Sequence, residues 1–209
     1  MKTRDFWDNY FATEVFVYSR YFKPEPTDVV VDCGAHIGSF TCRWAPYVSE
    51  MHSFEPHPAN YALLEENVAS LGLDNVFLYN MALADYAGEA KMAEEFDPNL
   101  GGGSGAADIF CTGEGCIPVP VDTLDDMMTG EVDFIKLDVE GAEASILRGA
   151  TRTLEQWHPK IAMEVHGKDQ LDQVTDILRQ HGYMVKADFY NFDIWLLYAM
   201  VGEHWPFVL

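Results

Sequence analysis

The sequence predicts an α/β fold: one domain over residues 1–209, built on a mostly parallel sheet of about seven strands with helices on both faces. Three observations predict it. Short apolar or β-branched runs alternate with helically spaced segments from residue 28 onward, and the turn after the first run is rich in small residues. Several runs also end in carboxylates, which in an open parallel sheet face the crevice outside the strand ends.

The chain has 209 residues, 48% of them hydrophobic, with 5 Trp, 10 Tyr and 13 Phe, which is enough apolar surface to exclude a disordered class. Trp7, Phe11, Val15, Tyr18 and Phe22 recur at helical spacing, so an amphipathic helix is expected from Thr3 to Phe22, ending before Pro24 and Pro26. Its aromatic face covers the core, or else serves as a lid or the contact of a homodimer. Val29, Val30 and Val31 then form a strand ending at Asp32, followed by a turn and a helix over Phe40 to Tyr47. A strand at Met51 to Phe54, a helix at Ala59 to Leu71 and a strand at Val76 to Tyr79 complete the first half.

Residues Gly88 to Val121 interrupt the alternation, and Asn99-Leu100-Gly101-Gly102-Gly103-Ser104-Gly105 marks a mobile loop or the tip of a hairpin insertion. Such an insertion is expected to carry acceptor specificity rather than cofactor binding. Alternation returns with a strand at Phe134 to Leu137 and a helix from Ala142 to Trp157. A strand at Ile161 to Val165, a helix at Gln170 to His181 and strands near Tyr183 to Ala187 and Ile194 to Ala199 follow.

With 34 Asp and Glu against 13 Lys and Arg, the formal charge of −21 repels a phosphate backbone, so no nucleic-acid partner is expected. The excess reads as solubility, with a salt-rich habitat as the alternative. No basic start and apolar stretch of a secretory signal opens the chain, and no apolar run approaches the roughly 20 residues that span a bilayer, so no membrane partner is expected. Cys33, Cys42, Cys111 and Cys116 fit free thiols in a reducing cytoplasm, with Cys33 packing as a small apolar residue. Cys111 and Cys116 flank Thr112-Gly113-Glu114-Gly115 with no second cysteine pair nearby, so a zinc knuckle has little support.

The turn Val31-Asp32-Cys33-Gly34-Ala35-His36-Ile37-Gly38-Ser39 lies where ligands bind in open α/β sheets. Glu55, in Ser53-Phe54-Glu55-Pro56 at the end of the second strand, can accept both hydrogen bonds of a ribose diol, which points to a nucleoside ligand. A dinucleotide would want G-x-G-x-x-G, and His36 stands where its second glycine belongs. S-adenosylmethionine, which has no phosphate to cradle, suits the D-x-G-A-x-x-G form better.

These segments, with Lys136-Leu137-Asp138-Val139-Glu140-Gly141-Ala142-Glu143, resemble the FkbM family of S-adenosylmethionine-dependent methyltransferases. Asn80 to Asp85, Val121 to Asp125 and Leu147 to Ala150 extend the resemblance over residues 28 to 167. It implies a Rossmann-like class I methyltransferase fold and transfer of a methyl group to a hydroxyl of a small polar acceptor, such as a sugar or a secondary metabolite. By matching position, Asp32, Gly34, Ala35 and Gly38 line the methionine end, Glu55 holds the ribose, and Asn80, Met81 and Ala82 border the adenine. His36, which departs from the commoner Asn, belongs to the same cofactor set, as do Ser39, Pro56 and Asp138.

Asp138 is the best placed carboxylate after the fourth strand, either opposing the sulfonium charge or acting as a general base. Glu140 either joins it or caps the following helix, and Lys136, one alternation away, is either catalytic or an internal ion-pair partner. Glu164 and His166 share a face at the end of the fifth strand on the expected acceptor side, and an imidazole near its ordinary pKa suits a base. Asp138, Glu164 and His166 could alternatively hold a divalent ion, but their spacing is no recognised metal pattern and no metal is expected. The rival functions are a nicotinamide-dependent oxidoreductase, opposed by the missing G-x-G-x-x-G, and a non-catalytic nucleoside-binding protein.

Overall fold

The computed structural model describes residues 1–3, 17–94, 111, 115–191 and 193–202. The main sheet is formed by β1 (Val29–Cys33), β2 (Glu50–Phe54), β3 (Val76–Tyr79), β7 (Phe134–Leu137), β8 (Lys160–His166), β9 (Met184–Asn191) and β10 (Ile194–Met200). Their order is β3-β2-β1-β7-β8-β10-β9. β1 pairs in parallel with both β2 and β7, and β10 runs antiparallel between β8 and β9. The chain reverses its direction of travel across the sheet between β1 and β7, which opens a crevice above their C-terminal ends.

Alternation along the central strands feeds both faces of the sheet. Val31, Ile135, Leu137, Ile161 and Met163 point into one core, beneath α4 (Glu143–Arg148), α5 (Thr151–Gln156) and α6 (Lys168–Gln180). Val30, Phe134 and Ala162 point into the other, which Phe40 of α1 (Ser39–Trp44), Tyr18 and Phe22 cover. α2 (Pro58–Leu71) packs Leu64 and Val68 against Ala35 beside the first turn.

Several expectations change. Of the helix expected from Thr3 to Phe22, residues 4–16 lie outside the described residues, and Val17–Ser19 is a single 3-10 turn. The helix expected over Ala142 to Trp157 is two helices, broken at Gly149, where a Cβ would stand 2.1 Å from the Ala84 carbonyl oxygen. The backbone must bend there to admit that strand end.

Within residues 88–121, β5 (Gly88–Ala93) and β6 (Cys116–Asp122) pair antiparallel, and β4 (Ala82–Leu83) joins β6 to make a separate three-stranded sheet. The glycine-rich tip lies outside the described residues. Cys111 and Cys116, expected as free thiols, form a disulfide, because Cys111 returns beside β5 with its amide donating to the Lys91 carbonyl and brings the two Cα atoms to 5.9 Å. Cys33 and Cys42 are free, Cys33 buried in the first core as expected.

Candidate active site

The crevice above β1, β2 and β7 encloses about 1100 Å³ of empty space, including its open mouth. Its floor is set by a polar row beneath the first turn. Ser53, Asp32 and Lys136 stand in register on β2, β1 and β7, so their side chains meet on one face of the sheet. Thr41 of α1 donates to Asp32 Oδ2 at 2.7 Å and lies 2.7 Å from Ser53 Oγ. Lys136 Nζ lies 3.1 Å from Asp32 Oδ1 and donates to the Gly34 carbonyl at 2.7 Å. Burial opposes the Lys136 charge, but Asp32 and Asp138 hold its pKa above the ordinary value. Lys136 lines the crevice with its charge already engaged, so of its two expected roles the ion-pair partner is the one observed.

Asp32, expected at the methionine end, is fully buried beneath the first turn and is not among the residues lining the crevice. Gly38, expected in the same set, precedes α1 at φ 93 and abuts Leu64, whose Cδ1 a Cβ would meet at 2.7 Å. Gly34 does face the crevice, at φ 75, with room for no side chain because a Cβ would sit 1.9 Å from the Asp138 carbonyl oxygen. Ala35, His36 and Ser39 complete this wall, and Ser39 Oγ is buried with no hydrogen-bond partner among the described residues.

Opposite them, Glu55 is 5% exposed, and its carboxylate is held by the His36 amide at 2.8 Å, the His57 amide at 2.8 Å and Asn60 Nδ2 at 3.2 Å. Burial lifts its pKa while those donors pull it down, leaving it raised. Pro56, Met81 and Ala82 line the crevice beside it. Asn80 does not: its Nδ2 donates to the Glu55 and Pro56 carbonyls at 2.9 and 3.0 Å, fixing the turn from outside.

At the ends of β7 and β8 the carboxylates gather. Asp138, Glu140 and Glu164 line the crevice. Glu140 sits at φ 51 and does not cap α4; Glu143 accepts from the Gly141 amide at 3.0 Å, and Gln170 of α6 accepts from Ala144 and donates to Gly141. Burial, with the Asp138 and Glu143 charges, pushes Glu140 up to about 7. Burial and Asp138 push Glu164 up to about 8.

His166 stands behind them and does not line the crevice. Its Nδ1 lies 2.8 Å from Glu143 Oε1, and its Nε2 lies 3.3 Å from Glu140 Oε2. Burial works against its charge, but the Glu143 bond and the Glu140 and Asp138 charges override it and raise the pKa to about 9. The expected neutral base is therefore an imidazolium that steadies carboxylates. Ligand atoms of Asp138, Glu140 and His166 lie within 4.8 Å of one another, and both His166 ring nitrogens face carboxylates.

Tyr18 was missed as a site residue. It donates at 2.9 Å to Asp138 Oδ2 and lies 3.0 Å from Glu164 Oε1. The signal was its place on the apolar stripe, because a buried tyrosine hydroxyl demands a partner.

These protonations set a pH dependence. The folded protein holds protons on Glu140, Glu164 and His166 up to about 7, 8 and 9, whereas their ordinary values are 4.5, 4.5 and 6.5. The unfolded state binds fewer protons across that window, so stability falls as pH rises from 4.5 through about 9. A thermal midpoint that stays level or climbs between pH 6.5 and 9 contradicts this network.

Comparison with known families matches residues 32–185, well over half of the chain, to the Methyltransferase FkbM domain. The chain belongs to the FkbM methyltransferase family. It is similar to the hexuronic acid methyltransferase AglP of Haloferax volcanii, 26% identical over 75% of this chain and 63% of that protein. It is also similar to the 31-O-demethyl-FK506 methyltransferase FkbM of Streptomyces tacrolimicus, 29% identical over 78% of this chain and 75% of that one. The chain thus spans less than two thirds of AglP. Among solved structures, Methyltransferase FkbM from Methylobacillus flagellatus superposes with a TM-score of 0.65 at 19% identity, over 93% of this chain and 55% of that one. The fold is that of class I methyltransferases.

Proposed function

We propose that the crevice binds S-adenosylmethionine and transfers its methyl group to a hydroxyl of a small polar acceptor, such as a sugar or a secondary metabolite. The observation that carries this is the shared cleft: Glu55 stands on one side of the Gly34 turn, and Asp138 meets that turn on the other. The residues suit such a cofactor, because Gly34 leaves the turn bare and Ser39 Oγ lacks a partner. Glu55 receives the ribose diol, Met81 and Ala82 flank the base, and Gly34, Ala35, His36 and Ser39 take the methionine end. Bound cofactor supplies an electrophilic methyl on a sulfonium. Beside that group, Asp138 would accept the proton of an acceptor hydroxyl as its oxygen took the methyl. Alignment supplies most of the rate, about 7–11 kcal/mol for a near-attack geometry.

The names of relatives support the acceptor class, two of them sugar- or position-specific: hexuronic acid methyltransferase AglP and 2-O-methyltransferase NoeI of Sinorhizobium fredii, the latter 28% identical over 63% of this chain. The cytoplasm is the proposed compartment, and its reducing conditions would hold Cys111 and Cys116 as thiols. Among the described residues no helix is long and apolar enough to cross a membrane.

Glu55→Ala tests the cofactor assignment. Titration calorimetry is expected to read a loss of S-adenosylmethionine affinity of roughly tenfold or more, since a hydrogen bond to a charged group contributes about 1.5–3 kcal/mol. Unaltered affinity in the folded variant removes Glu55 from the ribose site.

A further inference from the structure

Tyr18 belongs to the N-terminal segment, outside the matched residues 32–185, and it still reaches the centre of the cleft. Its hydroxyl oxygen lies between two carboxylates, 2.9 Å from Asp138 Oδ2 and 3.0 Å from Glu164 Oε1. A tyrosine hydroxyl brings one proton. It donates to one neighbour only, and the second contact would set unshared electron pairs about 3 Å apart if both carboxyl groups were ionised. The row therefore holds a second proton on one of the two acids.

The surroundings decide which. Glu164 is the more buried, with its side chain 12% exposed against 32% for Asp138. Lys136 Nζ lies 3.9 Å from Asp138 and 5.3 Å from the Tyr18 ring centre, which favours the ionised form at Asp138. Around Glu164 stand Asp138 and Lys136 from the β7 end, His166 from its own strand, Tyr18 from the N-terminal segment and Tyr198 from β10. His166 is nearest among the cations, 4.0 Å away, and is already engaged by Glu143 and Glu140. The upward shift of Glu164 agrees with the assignment.

The geometry points to Tyr18 as a positioning residue of the acceptor site, bridging a neutral Glu164 to an ionised Asp138 so that the pair presents one base and one acid. Glu164 O–H donates to the Tyr18 oxygen, and Tyr18 O–H donates to Asp138. The tyrosine is well anchored for this task. Its ring meets Phe40 edge-on at 6.0 Å, and the adjacent Val17 carbonyl accepts from Tyr198 at 2.6 Å. The role deepens, and rests on, the proposed methyl transfer to a hydroxyl, with Asp138 as the base.

Tyr18→Phe keeps the ring and removes the bridge. Two measurements test it. Infrared difference spectra of the unliganded protein at neutral pH, wild type minus Glu164→Gln, are expected to show a protonated-carboxyl band of Glu164, separate from that of the partly protonated Glu140 and displaced in Tyr18→Phe. Absence of that band in the wild type, or a band that ignores Tyr18→Phe, overturns the bridge whatever the fate of the methyltransferase assignment. With cofactor and a hydroxyl acceptor, kcat is expected to fall about tenfold or more in Tyr18→Phe with the acceptor KM nearly unchanged, because the hydrogen bond that positions the Asp138 and Glu164 pair is gone. Cofactor affinity is expected to stay within about twofold. An unchanged kcat in the folded variant equally overturns it, while cofactor binding by calorimetry reports separately on the underlying assignment.

Discussion

Lys136→Met destabilises the fold by about 3–5 kcal/mol, the usual cost of stranding one partner of a buried ion pair. Asp32 is fully buried, and after the substitution its Oδ1 has lost the ammonium 3.1 Å away, leaving only the Thr41 hydroxyl on Oδ2. The Gly34 carbonyl loses its donor at the same time. Against a typical total stability of about 5–15 kcal/mol, this is a large fraction. Denaturant unfolding reads it directly. The double variant Asp32→Asn/Lys136→Met is expected to recover most of the loss, since removing both charges removes the stranded one. A single variant within about 1 kcal/mol of wild type would mean that water reaches Asp32.

With Asp138 as the proposed base, Asp138→Asn is expected to lower turnover by about 100- to 10,000-fold, the range for loss of a working general base, while the fold persists. The amide keeps the shape of the carboxylate, so Tyr18 retains a hydrogen-bond partner, but it cannot take a proton at neutral pH. Methyl transfer followed by product mass, together with circular dichroism, separates the chemical loss from unfolding. Turnover within a few-fold of wild type would pass the role to Glu140, whose carboxyl, raised to about 7, also lines the cleft.

Sequence reading found the sheet because alternation of strand and helix is a local signal, and Val29–Cys33, Phe134–Leu137 and Lys160–His166 are short apolar runs with unambiguous ends. It also collected Gly34, Glu55, Asp138 and Glu164, which the fold brings to one crevice. What it could not resolve is where a strand-end side chain is directed once its neighbours are in register. Asp32 and Lys136 lie over a hundred residues apart and meet only because β1 and β7 are adjacent. Likewise, an imidazole in isolation has an ordinary pKa, and nothing near His166 in the chain announces that Glu140 and Glu143 will surround it. Tyr18 read as core because its ring is core; only its oxygen belongs to the site.

The contact between Gly34 and the Asp138 carbonyl leaves no slack between the two halves of the cleft. On the proposed assignment, the turn that would face the cofactor and the carboxylate that would face the acceptor are one stiff piece, tied again where the Asp138 amide donates to the Cys33 carbonyl at 3.1 Å. A change of acceptor cannot be accommodated by relaxing that floor without also tilting the cofactor. Room for a larger or differently shaped acceptor has to come from the β5 side, which brings Met92 to the cleft.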